Sequence, residues 1–233
     1  MRSGVRVAVG VVLLLSFSAC GAKRSAEPVR ETTGLASEAE SREALAVLPT
    51  VARGADASQY RRELFGRSWH DVEGNGCNQR DDVLLRDAVP GTTVSVRQGA
   101  CSHDVLAGTW VDPYTGALLV FADLKDLEQA QAIQIDHVVP LAEAWVSGAS
   151  TWTDERREQF ANDLGSLLAA DGPTNASKGS HDPAAWRPKK NFQCEYAVRW
   201  IAIKAEWHLG VDPSERRALS EMLEVCGAST PSS

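Results

Sequence analysis

The protein has 233 residues, a formal net charge of −7 and five cysteines. The length is sufficient for one ordinary domain with a sizeable core. The acidic balance argues against general association with polyanions, because net charge governs non-specific binding. One local exception is the stretch 178–204, which contains six Lys or Arg residues and two acidic residues.

The N-terminus has the pattern of an export signal. Arg2 and Arg6 precede a mostly apolar run over residues 7–17, and the small residues "SACG" follow. This order predicts a signal peptide over residues 1–19, because the apolar run falls short of the ~20 residues that span a membrane. "SACG" also resembles a bacterial lipobox, which predicts lipidation of Cys20 and anchoring to the cell membrane. Secretion without a lipid anchor is the alternative.

Residues 20–55 are rich in Ala, Glu, Ser, Thr and Arg and contain no aromatic residue. Such a composition predicts a disordered linker, since it offers little apolar surface to offset chain entropy. Aromatic residues resume at Tyr60, and all seven tryptophans lie between Trp69 and Trp207. The folded domain is therefore predicted over residues 56–227, with a flexible tail over 228–233.

Helical and strand patterns alternate irregularly along the domain. The sequence predicts a short helix within 58–69, a second helix near Asp81, and an antiparallel strand pair within 92–121 around a turn at 112–116. A strand at 132–139, a helix capped by Thr153 and a short strand at 166–170 follow. Two helices end the domain, one at 192–210 and one starting at Asp212 with a capping box. The predicted fold class is α+β.

Four cysteines lie within the predicted domain: Cys77, Cys101, Cys194 and Cys226. An even number of cysteines in an exported domain favours disulfides. Of the three ways to join them, Cys77–Cys101 and Cys194–Cys226 are favoured because each pair links neighbouring elements. A zinc site is disfavoured, since no Cys-x-x-Cys pair occurs.

The stretch "AIQIDHVVPLAEAW" contains the strongest functional signal. Asp136 and His137 end an apolar strand, and about thirty residues later a second short strand leads through a turn into "NASKGS". Asn175 and Lys178 in that segment are three residues apart, so they share one face of a helical turn. The order of elements predicts that all four residues meet.

These residue types suit the hydrolysis of a phosphodiester bond. Asp136 and the amide oxygen of Asn175 are hard ligands for Mg²⁺ or Mn²⁺. A neutral His137 could act as the general base that activates water, and Lys178 is predicted to contact a neighbouring phosphate.

The segments "DHVVPLAEAW", "FANDLGSLLAADGPTNASKGS" and "DPAAWRP" resemble the HNH nucleases, also called ββα-metal or His-Me finger nucleases. More narrowly, the chain resembles exported bacterial proteins related to the C-terminal domain of GmrSD restriction endonucleases, over roughly residues 60–226. This resemblance implies a strand–loop–strand–helix core with an N-terminal helix and β-hairpin extension and C-terminal helices. It also implies metal-dependent cleavage of DNA and sometimes of RNA, with DNA favoured as the substrate.

The resemblance implies a role for each matching residue. Asp136 and Asn175 match the metal ligands, His137 matches the general base and Lys178 matches the accompanying lysine. Ser166 departs from the pattern, because the family usually carries a bracing asparagine at this position. The Ser166 hydroxyl could still bond a backbone group of the loop, or the nearby Asn162 or Asp163 could supply the brace.

An alternative function is a surface-anchored binding module that retains the HNH fold with weak or absent catalysis. Ser166 and the acidic balance motivate this alternative. Glu143 and His181 are weaker candidates for contacts with metal and phosphate. Five tryptophans could stack on bases, although most are expected in the core: Trp145, Trp152, Trp186, Trp200 and Trp207. The sequence makes no prediction of oligomeric state.

Overall fold

The computed structural model describes residues 35–52 and 56–226. Over these residues the fold is α+β, as the sequence predicts. The α-helices are α1 Glu38–Val47, α2 Gln79–Asp87, α3 Leu127–Ala132, α4 Leu141–Val146, α5 Asp154–Ala161, α6 Gly172–Lys178, α7 Gln193–Glu206 and α8 Pro213–Leu223. The strands are β1 Val94–Gln98, β2 Cys101–Val111, β3 Leu118–Phe121, β4 Ile133–His137 and β5 Leu167–Asp171. Short 3₁₀ turns, including Arg62–Phe65 and Leu164–Ser166, connect them.

The strands form two antiparallel sheets. One has the order β1-β2-β3 and corresponds to the predicted strand pair around the turn at 112–116. The other pairs β4 with β5, so that Ile135 lies opposite Ala169 and His137 lies opposite Leu167. Helix α6 follows β5 directly, with Asp171 as its N-cap and Pro173 in its first turn. The order β4, β5, α6 confirms the predicted strand–loop–strand–helix core.

Helix α1 corrects the prediction of a disordered linker for residues 38–47, whereas residues 20–34 and 53–55 of that predicted linker lie outside the described residues. Ser37 and Glu40 form a capping box at its start, and Leu45 and Leu48 are buried against α7 and α8. The guanidinium of Arg216 donates hydrogen bonds to the carbonyl oxygens of Leu45 and Leu48. The cap and the two buried leucines order the helix, because α7 and α8, which are distant in the sequence, cover its apolar side.

Docking of α1 predicts a stability effect at Leu45. Leu45→Ala is expected to lower the free energy of unfolding by about 2–5 kcal/mol, the usual cost of emptying a buried leucine site. Val47 lies on the same helix and is 81% exposed, so Val47→Ala should change the free energy of unfolding by less than about 0.5 kcal/mol. Urea unfolding of both variants checks this. Equal values would contradict the docking of α1.

Two disulfides join the predicted pairs, Cys77–Cys101 and Cys194–Cys226. The first links the loop before α2 to the start of β2, and the second links the start of α7 to the segment after α8. Among the described residues, no helix is long and apolar enough to cross a membrane. The predicted signal peptide, Cys20 and the tail at 228–233 lie outside the described residues.

Candidate active site

Strand β4 and helix α6 dock on each other through two side-chain pairs. Because side chains alternate along a strand, Gln134 and Asp136 share one face of β4. Gln134 Oε1 accepts a hydrogen bond from Asn175 Nδ2 at 2.9 Å, and Asp136 Oδ1 accepts one from Lys178 Nζ at 3.0 Å. Asn175 and Lys178 are three residues apart on α6, so one helix face meets one strand face. The structure therefore brings together the predicted Asp136, Asn175 and Lys178.

The carboxylate of Asp136 is held by two buried donors. Lys178 Nζ lies 2.9 Å from Oδ2 and 3.0 Å from Oδ1, and the Tyr114 hydroxyl also donates to Oδ2. Burial raises the pKa of Asp136 above its ordinary value, while the charge of Lys178 and the Tyr114 hydrogen bond act in the opposite direction. Only 5% of Asp136 is exposed, so the carboxylate is fixed in place.

The His137 ring is buried and oriented by a backbone carbonyl. Its Nε2 donates a hydrogen bond to the carbonyl oxygen of Ala161 at 2.8 Å, which leaves Nδ1 as the acceptor nitrogen. Burial lowers the pKa of His137 from its ordinary value to about 4, more than the Ala161 hydrogen bond raises it. At neutral pH the imidazole is therefore uncharged and carries a lone pair on Nδ1.

Asp136, His137 and Asn175 line one open pocket of about 600 Å³. Two arginines, Arg62 and Arg80, line the same pocket, so positive charge surrounds the polar residues. Arg62 is exposed. Arg80 is partly buried, and it donates hydrogen bonds to the carbonyl oxygens of Ala130 in α3 and Ile133 at the start of β4. A pocket with this charge suits an anionic ligand such as a phosphate group.

The oxygen atoms in the pocket fit a hard divalent cation. A carboxylate offers about four acceptor positions, and hydrogen bonds from Tyr114 and Lys178 use two of those on Asp136. Asp136 also lines the pocket. The described hydrogen bond of Asn175 uses its amide nitrogen, which leaves Oδ1 available. Carboxylate and amide oxygens are the donors that Mg²⁺ and Mn²⁺ prefer.

Lys178 is not placed to make the predicted phosphate contact. Its side chain is fully buried, and its Nζ donates to Asp136 and to the backbone carbonyl oxygen of His137 at 2.8 Å. An ammonium without exposed surface cannot reach a phosphate in the pocket. Lys178 instead fixes the Asp136 carboxylate and the backbone carbonyl just after the His137 side chain.

Ser166 and Asn162 brace two different parts of the site. The Ser166 hydroxyl donates to Asp163 Oδ2 at 2.6 Å, and the Ser166 carbonyl accepts from the Val138 amide at 2.9 Å. This backbone bond continues the β4–β5 ladder just past His137. Asn162 is fully buried, and its amide bonds to the Arg67 carbonyl and the His70 N–H, each at 2.9 Å. Asn162 therefore holds the 67–70 loop.

Several weaker candidates from the sequence lie elsewhere. Glu143 accepts a hydrogen bond from the buried Lys204 at 2.9 Å and, with His181, lines a separate pocket of about 240 Å³. The pocket that contains Asp136 is lined by none of the five tryptophans considered for base stacking. Two of them, Trp145 and Trp200, are buried in the larger core cluster.

The sequence analysis missed four residues of the site: Tyr114, Arg62, Arg80 and Trp69. Tyr114 belongs to a tight turn in which Gly116 N–H donates to the Asp112 carbonyl. The sequence predicts this turn, but it does not predict the hydrogen bond from Tyr114 to Asp136. The arginines and Trp69 precede Asp136 by more than fifty residues. Arg62 and Trp69 lie among aromatic residues in "YRRELFGRSW", which is a weak signal, whereas Arg80 has no aromatic neighbour in the sequence.

An antiparallel strand pair and a helix, with Asp-His at the end of the first strand and Asn-x-x-Lys on the helix, define the ββα or HNH class. Within that class, the chain belongs to the family of GmrSD restriction endonucleases, C-terminal domain, whose model matches residues 79–222. A protein of Arthroderma benhamiae described as "Uncharacterized secreted protein" is 39% identical over 170 residues, covering 72% of this chain and 76% of the relative. The family is nuclease-related, and secretion of this relative agrees with the two disulfides of the present chain.

Proposed function

We propose that the protein is an exported, metal-dependent endonuclease that hydrolyses phosphodiester bonds of nucleic acid. One observation carries this proposal: the uncharged His137, the fixed Asp136 carboxylate and the Asn175 amide line one pocket with two arginines. This combination provides a base, oxygen ligands and counter-charges for phosphate in a single place. The match to an endonuclease domain family supports the same reaction class.

Each residue has a chemical task in this proposal. His137 Nδ1 accepts a proton from the attacking water, because its pKa of about 4 keeps the ring uncharged. Asp136 and Asn175 would hold Mg²⁺ or Mn²⁺, which when bound neutralises charge on the phosphate and the leaving oxygen. Arg62 contacts a phosphate oxygen at the open side of the pocket. Lys178 and Tyr114 position the Asp136 carboxylate.

The predicted export route becomes part of the proposal. Cleavage of the signal peptide at 1–19 and lipidation of Cys20 would place the nuclease at the outer surface of the cell membrane. The secreted relative and the disulfides support export, and the "SACG" motif motivates the lipid anchor. Metabolic labelling with a fatty-acid analogue would detect the anchor, and loss of label in Cys20→Ala would locate it.

A cleavage assay tests the proposed reaction. Purified protein is incubated with supercoiled plasmid DNA, or with structured RNA, in buffer containing Mg²⁺ or Mn²⁺. Nicked and linear products are expected, and EDTA should remove them. If neither nucleic acid is cut with either metal, the nuclease proposal is wrong and the binding-module alternative takes its place.

Metal binding is tested separately by thermal unfolding. Mn²⁺ or Mg²⁺ at about 100-fold above Kd should raise the Tm by about 5–10 °C, since a ligand that binds only the folded state stabilises it. Asn175→Ala should reduce this shift to less than half. Asn191 is exposed and outside the pocket, so Asn191→Ala is the matched control with a full shift. An equal shift in both variants would remove Asn175 from the ligand set.

A further inference from the structure

The backbone of Trp69 adopts a conformation that tryptophan rarely takes. Its φ angle is +60°, in the left-handed region where the Cβ atom of an L-residue crowds the backbone. Glycine occupies this region without penalty. A bulky residue in such a conformation needs a surrounding structure that enforces it, and outliers of this kind concentrate at functional sites.

Asn162 enforces this conformation from both sides of Trp69. Its Nδ2 donates to the carbonyl oxygen of Arg67 and to that of Glu158, while its Oδ1 accepts from the N–H of His70, each at 2.9 Å. The His70 ring adds a contact to Glu158 Oε1 at 2.7 Å. The loop that carries Trp69 is thus tied to α5, the helix whose end also supplies the carbonyl oxygen for His137.

This fixed loop places Trp69 at the functional pocket. Trp69 lines the same pocket as Asp136, His137 and Asn175, and it also lines a smaller cleft with His137 and Arg62. The ring is half-buried, and part of it packs against the cluster around Leu84 and Ile133. A supported aromatic surface therefore stands next to the general base and to an exposed arginine.

We infer that Trp69 is a stacking platform for an unpaired base next to the scissile phosphate, so that single-stranded or locally unpaired nucleic acid is the preferred substrate. This inference rests on the proposed nuclease function. In a duplex, neighbouring base pairs cover the base faces, whereas an unpaired base exposes a face that an aromatic ring can cover. An aromatic ring can stack on any of the bases. The platform therefore favours single-stranded over double-stranded nucleic acid and favours no particular sequence.

The test measures binding in EDTA, where no cleavage takes place. Fluorescence anisotropy gives the Kd for a labelled single-stranded DNA oligonucleotide and for the same sequence as a duplex. Trp69→Ala should weaken single-strand binding by about 5- to 150-fold and duplex binding by less than 2-fold. Trp69→Phe keeps an aromatic face and should stay within about 5-fold of the native protein. Trp152 lies outside the pocket, so Trp152→Ala is a control with unchanged Kd.

Trp69→Gly separates binding from folding. It lacks the ring, as Trp69→Ala does, but it relieves the left-handed backbone conformation, so its Tm should equal or exceed that of Trp69→Ala. Equal loss of single-strand binding in both variants supports the platform. Affinity that instead follows Tm across the two variants overturns it and makes Trp69 a structural residue.

The platform and the nuclease activity fail in different ways. If native protein cuts nucleic acid with metal but Trp69→Ala binds single strands as tightly as native protein, the platform is wrong and the nuclease proposal stands. If native protein binds single strands through Trp69 but cuts nothing with Mg²⁺ or Mn²⁺, the nuclease proposal is wrong, and Trp69 stands only as a base-stacking site of a binding module.

Discussion

His137→Ala is expected to lower the rate of metal-dependent cleavage by about 10²- to 10⁴-fold, the usual contribution of a general base. The variant loses the imidazole lone pair that would accept the proton of the attacking water. It also frees the Ala161 carbonyl oxygen from its hydrogen bond, which should cost about 1–3 kcal/mol of stability. The measurement is the initial rate of plasmid nicking at fixed enzyme and metal concentrations.

Two variants separate the lost base from lost stability. His137→Gln can still offer an N–H to Ala161, so it should be more stable than His137→Ala and equally inactive. His208 is exposed and has a φ of +57°, a conformation that asparagine tolerates, so His208→Asn is the matched control with native activity. Retention of more than about a tenth of native activity in folded His137→Ala would exclude His137 as the base.

Lys178→Met is expected to lower the free energy of unfolding by about 3–5 kcal/mol, because it leaves the Asp136 carboxylate buried without its ionic partner. Asp136→Asn in the same chain removes that charge. The double variant Lys178→Met/Asp136→Asn should therefore recover most of the loss. Guanidinium unfolding of the native protein, both single variants and the double variant, all in EDTA, gives the coupling energy.

The control for this cycle is Lys190→Met, since Lys190 is exposed near the start of α7. It should change the free energy of unfolding by less than about 0.5 kcal/mol. A loss below about 1 kcal/mol for Lys178→Met would mean that the buried ion pair does not hold β4 to α6, and the positioning role of Lys178 would be abandoned.

The core of the site could be predicted because its signals are local. The alternation of Ile133 and Ile135 indicates a strand that ends at Asp136 and His137, and the turn predicted at 171–174 separates the second strand from the helical segment that carries Asn175. The capping box at Asp212 likewise fixed the start of α8, which the structure places at Pro213. In each case neighbouring residues determine the element.

The other parts of the site depend on contacts between distant segments. Asn162 and His70 are 92 positions apart, and Tyr114 and Asp136 are 22 positions apart. Helix α1 depends on a hydrogen-bond donor, Arg216, that follows it by about 170 positions. Periodicity and capping signals do not indicate which residues so far apart in the sequence contact each other. For the same reason the helix face of Lys178 could be predicted, whereas the buried carboxylate that its ammonium contacts could not.

The near-complete burial of the Asp136–Lys178 pair determines how the site responds to ionic strength. Mobile ions screen exposed charges over about 8–10 Å at physiological salt, but they act far less on a pair that is almost out of contact with solvent. Salt does weaken the attraction of the exposed Arg62 for a phosphate, because counterions compete with the arginine for the phosphate charge. Salt outside the cell would thus weaken the capture of a nucleic acid strand while the geometry of the cleaving residues stays the same.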